Sequence, residues 1–105
     1  MNKDRVDALK NMLNEDPNDP FALYGLALEY KSVGDLDAAQ PLLEKSIQID
    51  PKQIFAYYQL AEVLIGNDEI ELAMDTLQRG IQVAQEANDV KAINELEALL
   101  MMIEE

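Results

Sequence analysis

Any chemistry this chain performs must use carboxylates, hydroxyls, amides and aromatic rings, because the sequence holds 21 Asp and Glu but no histidine and no cysteine. Disulfides, thiolate and imidazole nucleophiles, histidine bases and Cys/His zinc sites are therefore excluded. Carboxylate pairs could do acid/base work only by converging in a dry pocket, and the helical pattern described below puts nearly all of them on solvent faces. Asp16, Asn18 and Asp19 cluster as calcium ligands would, and so do Asn67, Asp68 and Glu69. Both groups lack the glycine and the distal bidentate glutamate of a calcium loop, and both fall where a turn and a helix cap are needed. Gly25, Gly34, Gly66 and Gly80 are dispersed, so no phosphate-cradling loop exists. The expectation is a protein that is not an enzyme, with no catalytic residue, cofactor or metal.

What remains is a set of rings, which either face a ligand or lie buried between neighbouring repeats. Phe21, Tyr24, Phe55 and Tyr58 form two matched pairs, and such side chains offer large contact area at little rotamer cost. Their setting is a 105-residue chain of net charge −13 whose 49% hydrophobic content suffices for a core. The eight Lys and Arg are scattered, which argues against nucleic acid and against an anionic membrane surface. No apolar leader or spanning stretch is present, so a soluble, cytoplasmic protein is the expectation. The acidity is uneven: residues 1–52 carry 6 basic and 10 acidic groups, net −4, against 2 and 11, net −9, in residues 53–105. A charged partner would be basic and would meet the second half.

The rings are placed by a repeat. Shifted by 34 residues, segment 20–53 matches 54–87 at nine positions, among them Phe21/Phe55, Ala22/Ala56, Tyr24/Tyr58, Leu26/Leu60, Ala27/Ala61, Ala39/Ala73 and Leu43/Leu77. Leu23, Leu26, Ala27 and Tyr30 share one face of a helix from about Pro20 to Val33, stopped by Gly34. Asp35 then caps a second helix running to Asp50-Pro51, bent but not ended by Pro41. A helix from Ile70 continues to about Ala87, and Asn88-Asp89 turns the chain. Residues 3–15 form a helix with Val6, Leu9, Met12 and Leu13 on one side. Residues 89–104 form another, with a stripe of Val90, Ile93, Leu96, Leu100 and Ile103.

The run LYGLALEYKSVGDLDAAQPLLEKSIQIDP resembles a tetratricopeptide repeat, a 34-residue helix-turn-helix unit. The signature positions hold Leu23, Leu26, Ala27, Tyr30, Ala39, Leu43, Ser46 and Pro51, then Tyr57, Leu60, Ala61, Leu64, Ala73, Leu77, Gly80 and Gln85, the last departing from the usual proline. The resemblance implies an all-α, right-handed solenoid of antiparallel helix pairs, about six helices in one domain: a half-repeat over 3–19, repeats over 20–53 and 54–87, and a capping helix over 88–105.

It also implies a non-enzymatic module that binds a partner's peptide in a concave groove. The positions facing that groove are Phe21, Tyr24, Leu28 and Lys31 in the first repeat, and Phe55, Tyr58, Gln59, Glu62 and Ile65 in the second. Tyr24, Leu28, Gln59 and Glu62 stand where some relatives carry a Lys, Asn and Arg clamp for C-terminal carboxylates, so that clamp is absent. An apolar segment carrying Lys or Arg fits best, with Lys31 the only cation near the groove, and the two Phe residues are expected to be more buried than the Tyr residues. The alternative is a self-assembling homo-oligomer. The closing run holds Leu99, Met101, Met102 and Ile103, and five consecutive apolar residues from Leu99 cannot all face one neighbour.

Overall fold

The computed structural model describes residues 1–104, and in them the chain forms six α-helices and no strand. The expected six helices are all present; the last residue of the capping segment, Glu105, lies outside the described residues. The helices are α1 (Lys3–Glu15), α2 (Pro20–Ser32), α3 (Leu36–Ile49), α4 (Ile54–Gly66), α5 (Ile70–Glu86) and α6 (Val90–Glu104). None of them is long and apolar enough to cross a membrane. They fall into two compact units, the first ending at Asp50 and the second beginning at Pro51.

In the first unit, short polar side chains set the helix starts. Asn2 accepts the Arg5 N–H, Asp19 accepts those of Phe21 and Ala22, and Asp35 accepts that of Ala38, each oxygen satisfying a donor that has no partner within its own helix. Asp16 accepts the Asn18 N–H at 3.0 Å and closes the turn between α1 and α2. Asp16 and Asp19 thus serve the backbone as turn and cap. Gly34 takes φ +80°, the left-handed stop anticipated for α2.

Ala27 and Ala39 are fully buried, so the backbones of α2 and α3 approach closely, with Leu43 and Ile47 filling the space beside them. Val6 and Leu9 of α1 join Ala22 and Leu26 in one cluster that Met12, Leu13, Tyr30 and Leu42 cover. α3 runs through Pro41, which lies exposed on its outer face. Ser46 is buried on the inner face, and its hydroxyl donates to the Pro20 carbonyl at 3.0 Å.

The second unit repeats this plan with different chemistry at the ends. Asp68, the counterpart of Gly34, also has a positive φ of 60°, as has Asn88 at 55°. Asp and Asn are the non-glycine residues that best tolerate this conformation. Gln53 and Glu69 precede α4 and α5 without a side-chain cap bond, whereas Asp89 caps α6 by accepting the Ala92 N–H at 3.1 Å. Ala61 and Ala73 are again fully buried where the helices pair.

The α6 stripe differs from the expected one. Ala92, Leu96 and Leu99 are its buried members, Ile93, Leu100 and Ile103 are half-buried, and Val90 is exposed. A helix of 3.6 residues per turn presents either of two adjacent stripes to a neighbour, and the small Ala92 lets the α6 backbone come close along the first.

At the positions of Leu23 and Ser46, the second unit carries Tyr57 and Gly80. Tyr57 is buried, its hydroxyl donates to the Pro51 carbonyl at 2.6 Å, and the Arg79 guanidinium lies 5.6 Å from its ring centre. The two helices come this close because Gly80 has no side chain. A Cβ there would lie 2.7 Å from Tyr57 Cβ and 3.4 Å from Leu96 Cδ2. Gly80→Ala should therefore destabilise the protein by about 1–3 kcal/mol despite a better helix propensity. Adding Tyr57→Leu should not recover that loss, because Leu keeps the Cβ that the new methyl meets. Thermal unfolding followed by circular dichroism measures both variants, and a Gly80→Ala midpoint equal to that of the wild type would refute the steric account.

Candidate functional site

The rotation of α4 follows from which ring is inside. Locking Tyr57 against Gly80 turns the next residue, Tyr58, about 100° around the helix to a half-buried position, and leaves Phe55 pointing outward. Facing them are Asp89, which caps α6, and Lys91, Ala92, Glu95 and Leu96 on that helix. Together with Ile54 these side chains line a cleft of about 180 Å³ within the second unit. Its floor is apolar, made by Ala92, Leu96 and the ring of Tyr58. Its rim is charged, with Asp89 and Glu95 against a single lining cation, Lys91.

The electrostatics converge on the Tyr58 hydroxyl. Burial pushes its pKa above the ordinary phenol value, and the carboxylates of Glu62 on α4 and Glu95 on α6 push it further in the same direction. Tyr24, the equivalent ring in the first unit, is raised by burial alone. Tyr58 therefore sits under negative potential from two helices. The arrangement offers a shaped apolar surface with an acidic edge.

The residues anticipated from sequence are distributed unevenly. Phe55 and Tyr58 line the cleft, while Gln59, Glu62 and Ile65 lie half-buried farther along α4, outside its lining. In the first unit Tyr24, Leu28 and Lys31 are half-buried on α2. The expected order of burial among the rings is reversed, since Phe21 is 66% and Phe55 68% exposed. Both occupy the second residue of their helix, and helical side chains lean toward the N-terminus, which carries these rings past the end of the packed region.

Lys31 is not the only cation to consider, because Lys91 lines the cleft. Sequence reasoning put Leu96 on the apolar stripe of α6 but missed Lys91, Ala92 and Glu95 as the rest of this wall. The only signal for it was the i, i+4 spacing of Lys91 and Glu95 on the side of α6 away from the apolar stripe. At the C-terminal end, Leu99 is 6% exposed and belongs to the core rather than to an outer face, whereas Met101 and Met102 are 68% and 62% exposed and Ile103 is half-buried.

Replacing Glu62 or Glu95 by Gln should lower the pKa of Tyr58 and leave that of Tyr24 unchanged, because only Tyr58 is raised by those charges. Added salt should act in the same direction on Tyr58. Tyrosine ring resonances followed by NMR through alkaline pH provide the measurement, and a Tyr58 titration insensitive to both substitutions would contradict the convergence.

The tetratricopeptide repeat model matches residues 32–100 of the chain. No curated protein matches the sequence. Among solved structures, the crystal structure of a tetratricopeptide repeat domain protein from Salinibacter ruber is similar, with 32% identity and a TM-score of 0.77 over 82% of this chain and 96% of that one. The TPR2B domain of yeast Sti1, in its complex with pHsp70, is similar at 23% identity and a TM-score of 0.87, over 94% of this chain and 79% of that one. The first TPR of Spaghetti (RPAP3), bound to an HSP90 peptide, is similar at 18% and 0.76, over 95% and 78%. The last two likenesses are of fold. With a family match over more than half its length and the paired helices to go with it, the chain belongs to the tetratricopeptide repeat family.

Proposed function

We propose that this protein is a non-enzymatic protein-interaction module, whose repeats over residues 20–53 and 54–87 present the first-helix rings to a peptide segment of a partner. The observation that carries the reading is the α4–α6 cleft, where an exposed Phe55 and a half-buried Tyr58 flank an apolar floor that none of the described residues fills. Family membership supports the class, and two of the structural neighbours are complexes with pHsp70 and an HSP90 peptide. A chaperone C-terminus is not the expected occupant, since Tyr24, Leu28, Gln59 and Glu62 supply no cation for a terminal carboxylate.

The test is removal of the rings. Tyr24→Ala and Tyr58→Ala, singly and together, should reduce capture of peptides selected on the wild-type protein, with circular dichroism showing unchanged helix content. Full retention of those peptides by the double variant, or loss that accompanies melting, would refute the reading.

The exposure of Met101 and Met102 favours a second reading, self-association through the end of α6 with Ile103 at its edge. On this reading, light scattering should show a dimer that grows with protein concentration and disappears when both Met residues are changed to Lys. A wild type that stays monomeric at every accessible concentration rules it out.

A further inference from the structure

We propose that the α4–α6 cleft is a two-part receptor for an apolar-cationic pair: one large apolar side chain of the partner peptide enters against Tyr58, Ala92 and Leu96, and a Lys or Arg beside it meets Glu95 on the rim. The inference rests on the peptide-binding reading and narrows it to the chemistry of the occupant.

Size selects the first part. The cleft's volume of about 180 Å³ falls below the roughly 300–1,000 Å³ of small-molecule and cofactor sites. It is close to the ~150 Å³ that suffices for one benzene-sized body in an apolar cavity. One Leu, Ile, Met or Phe side chain fits; a nucleotide or a folded surface does not. The lining suits such an anchor, because Ala92 keeps the floor open where a longer side chain would close it, and Ile54 and Phe55 give an apolar wall on the other side.

Charge selects the second. Of the charged groups lining the cleft, Asp89 is engaged in capping α6, which leaves Glu95 and Lys91 to meet a visitor. These two are spaced i, i+4 with the cation nearer the N-terminus, the weaker order for pairing along a helix. Glu62 adds negative potential from the α4 side, as its effect on the Tyr58 hydroxyl shows. A cation placed beside the anchored side chain therefore gains attraction from two helices and can lie over the Tyr58 ring face. An anionic residue there would face the same two carboxylates and be repelled. Lys91 opposes the cation, and that opposition gives the test its sign.

The experiment is selection of phage-displayed random dodecapeptides on the full chain, followed by fluorescence polarisation of the recovered peptides at low and high salt. Recovered peptides should share Leu, Ile, Met or Phe beside, or one turn from, Lys or Arg. Exchanging that cation for Glu should weaken binding by about tenfold or more at low salt. Glu95→Lys should weaken it as well, and Glu95→Gln less, while Lys91→Ala should tighten it, all effects shrinking as salt rises. The opposite signs of the Glu95 and Lys91 variants cannot come from a general loss of structure. Peptides that need Tyr24 or Tyr58 but ignore all three variants, or that bind without a cation, overturn this inference and leave the peptide-binding reading standing. A selection that recovers no peptide removes both.

Discussion

The second unit depends on a side chain that is missing. Gly80 lets the Tyr57 Cβ come close where α4 meets α5, and the same spot touches Leu96 of α6, so three helices are registered around one absent Cβ. From this follow the rotation of α4, the outward path of Phe55, the half-buried stance of Tyr58 and the position of Leu96, which packs toward Gly80 on one side and floors the cleft on the other. Close packing makes such a site unforgiving, because interiors at crystal-like density transmit a displacement instead of absorbing it. The proposed recognition surface and the core are here two faces of the same residues.

The first unit solves the same packing problem differently. It pairs Leu23 with Ser46, whose buried hydroxyl must be satisfied and finds the Pro20 carbonyl at 3.0 Å. The close approach that Gly80 permits is used instead at Gly25, where a Cβ would stand 3.0 Å from Leu9 Cδ2, so α1 is pressed onto α2. A Leu methyl can swing aside and the Cβ of a buried Tyr cannot. The two glycines therefore differ in what they protect: Gly25 accommodates a flexible neighbour, and Gly80 accommodates a rigid one held at its far end by the Pro51 carbonyl.

Much of this was legible in the residues. The 34-residue shift, the buried Ala27, Ala39, Ala61 and Ala73, the left-handed Gly34 and the Asp35 cap follow from local rules that depend on few neighbours, and each appears where the sequence places it. The site was less legible because its geometry depends on which of two adjacent stripes a helix buries. On α6 the large residues Leu100 and Ile103 outweigh Ala92 in any count of apolar character, yet close packing rewards the small residue, and the helix turns accordingly. That turn carries Leu99 into the core and brings Lys91 and Glu95 to the cleft. The exposure of Phe21 and Phe55 escapes periodicity for a simpler reason. Periodicity gives a residue's angle around the helix, whereas at the second position what matters is how far the packed partner extends along it.

The uneven charge gains meaning once the cleft is located. The proposed contact of one anchored side chain and one ion pair is small, and small interfaces derive little selectivity from area alone. Long-range potential supplies what area does not. With net −9 in residues 53–105, an approaching cationic segment is drawn toward the half of the sequence that contains the cleft, and an acidic one is turned away before it makes contact. Such steering acts mainly on the association rate and fades with ionic strength, while the apolar anchor acts mainly on dissociation. The division of labour matches the layout of the cleft, with the apolar floor within and the carboxylates at the edge, where a charge can stay hydrated until it meets its partner. Placing Glu95 on the floor instead would require removing it from water at a cost its pairing would not recover.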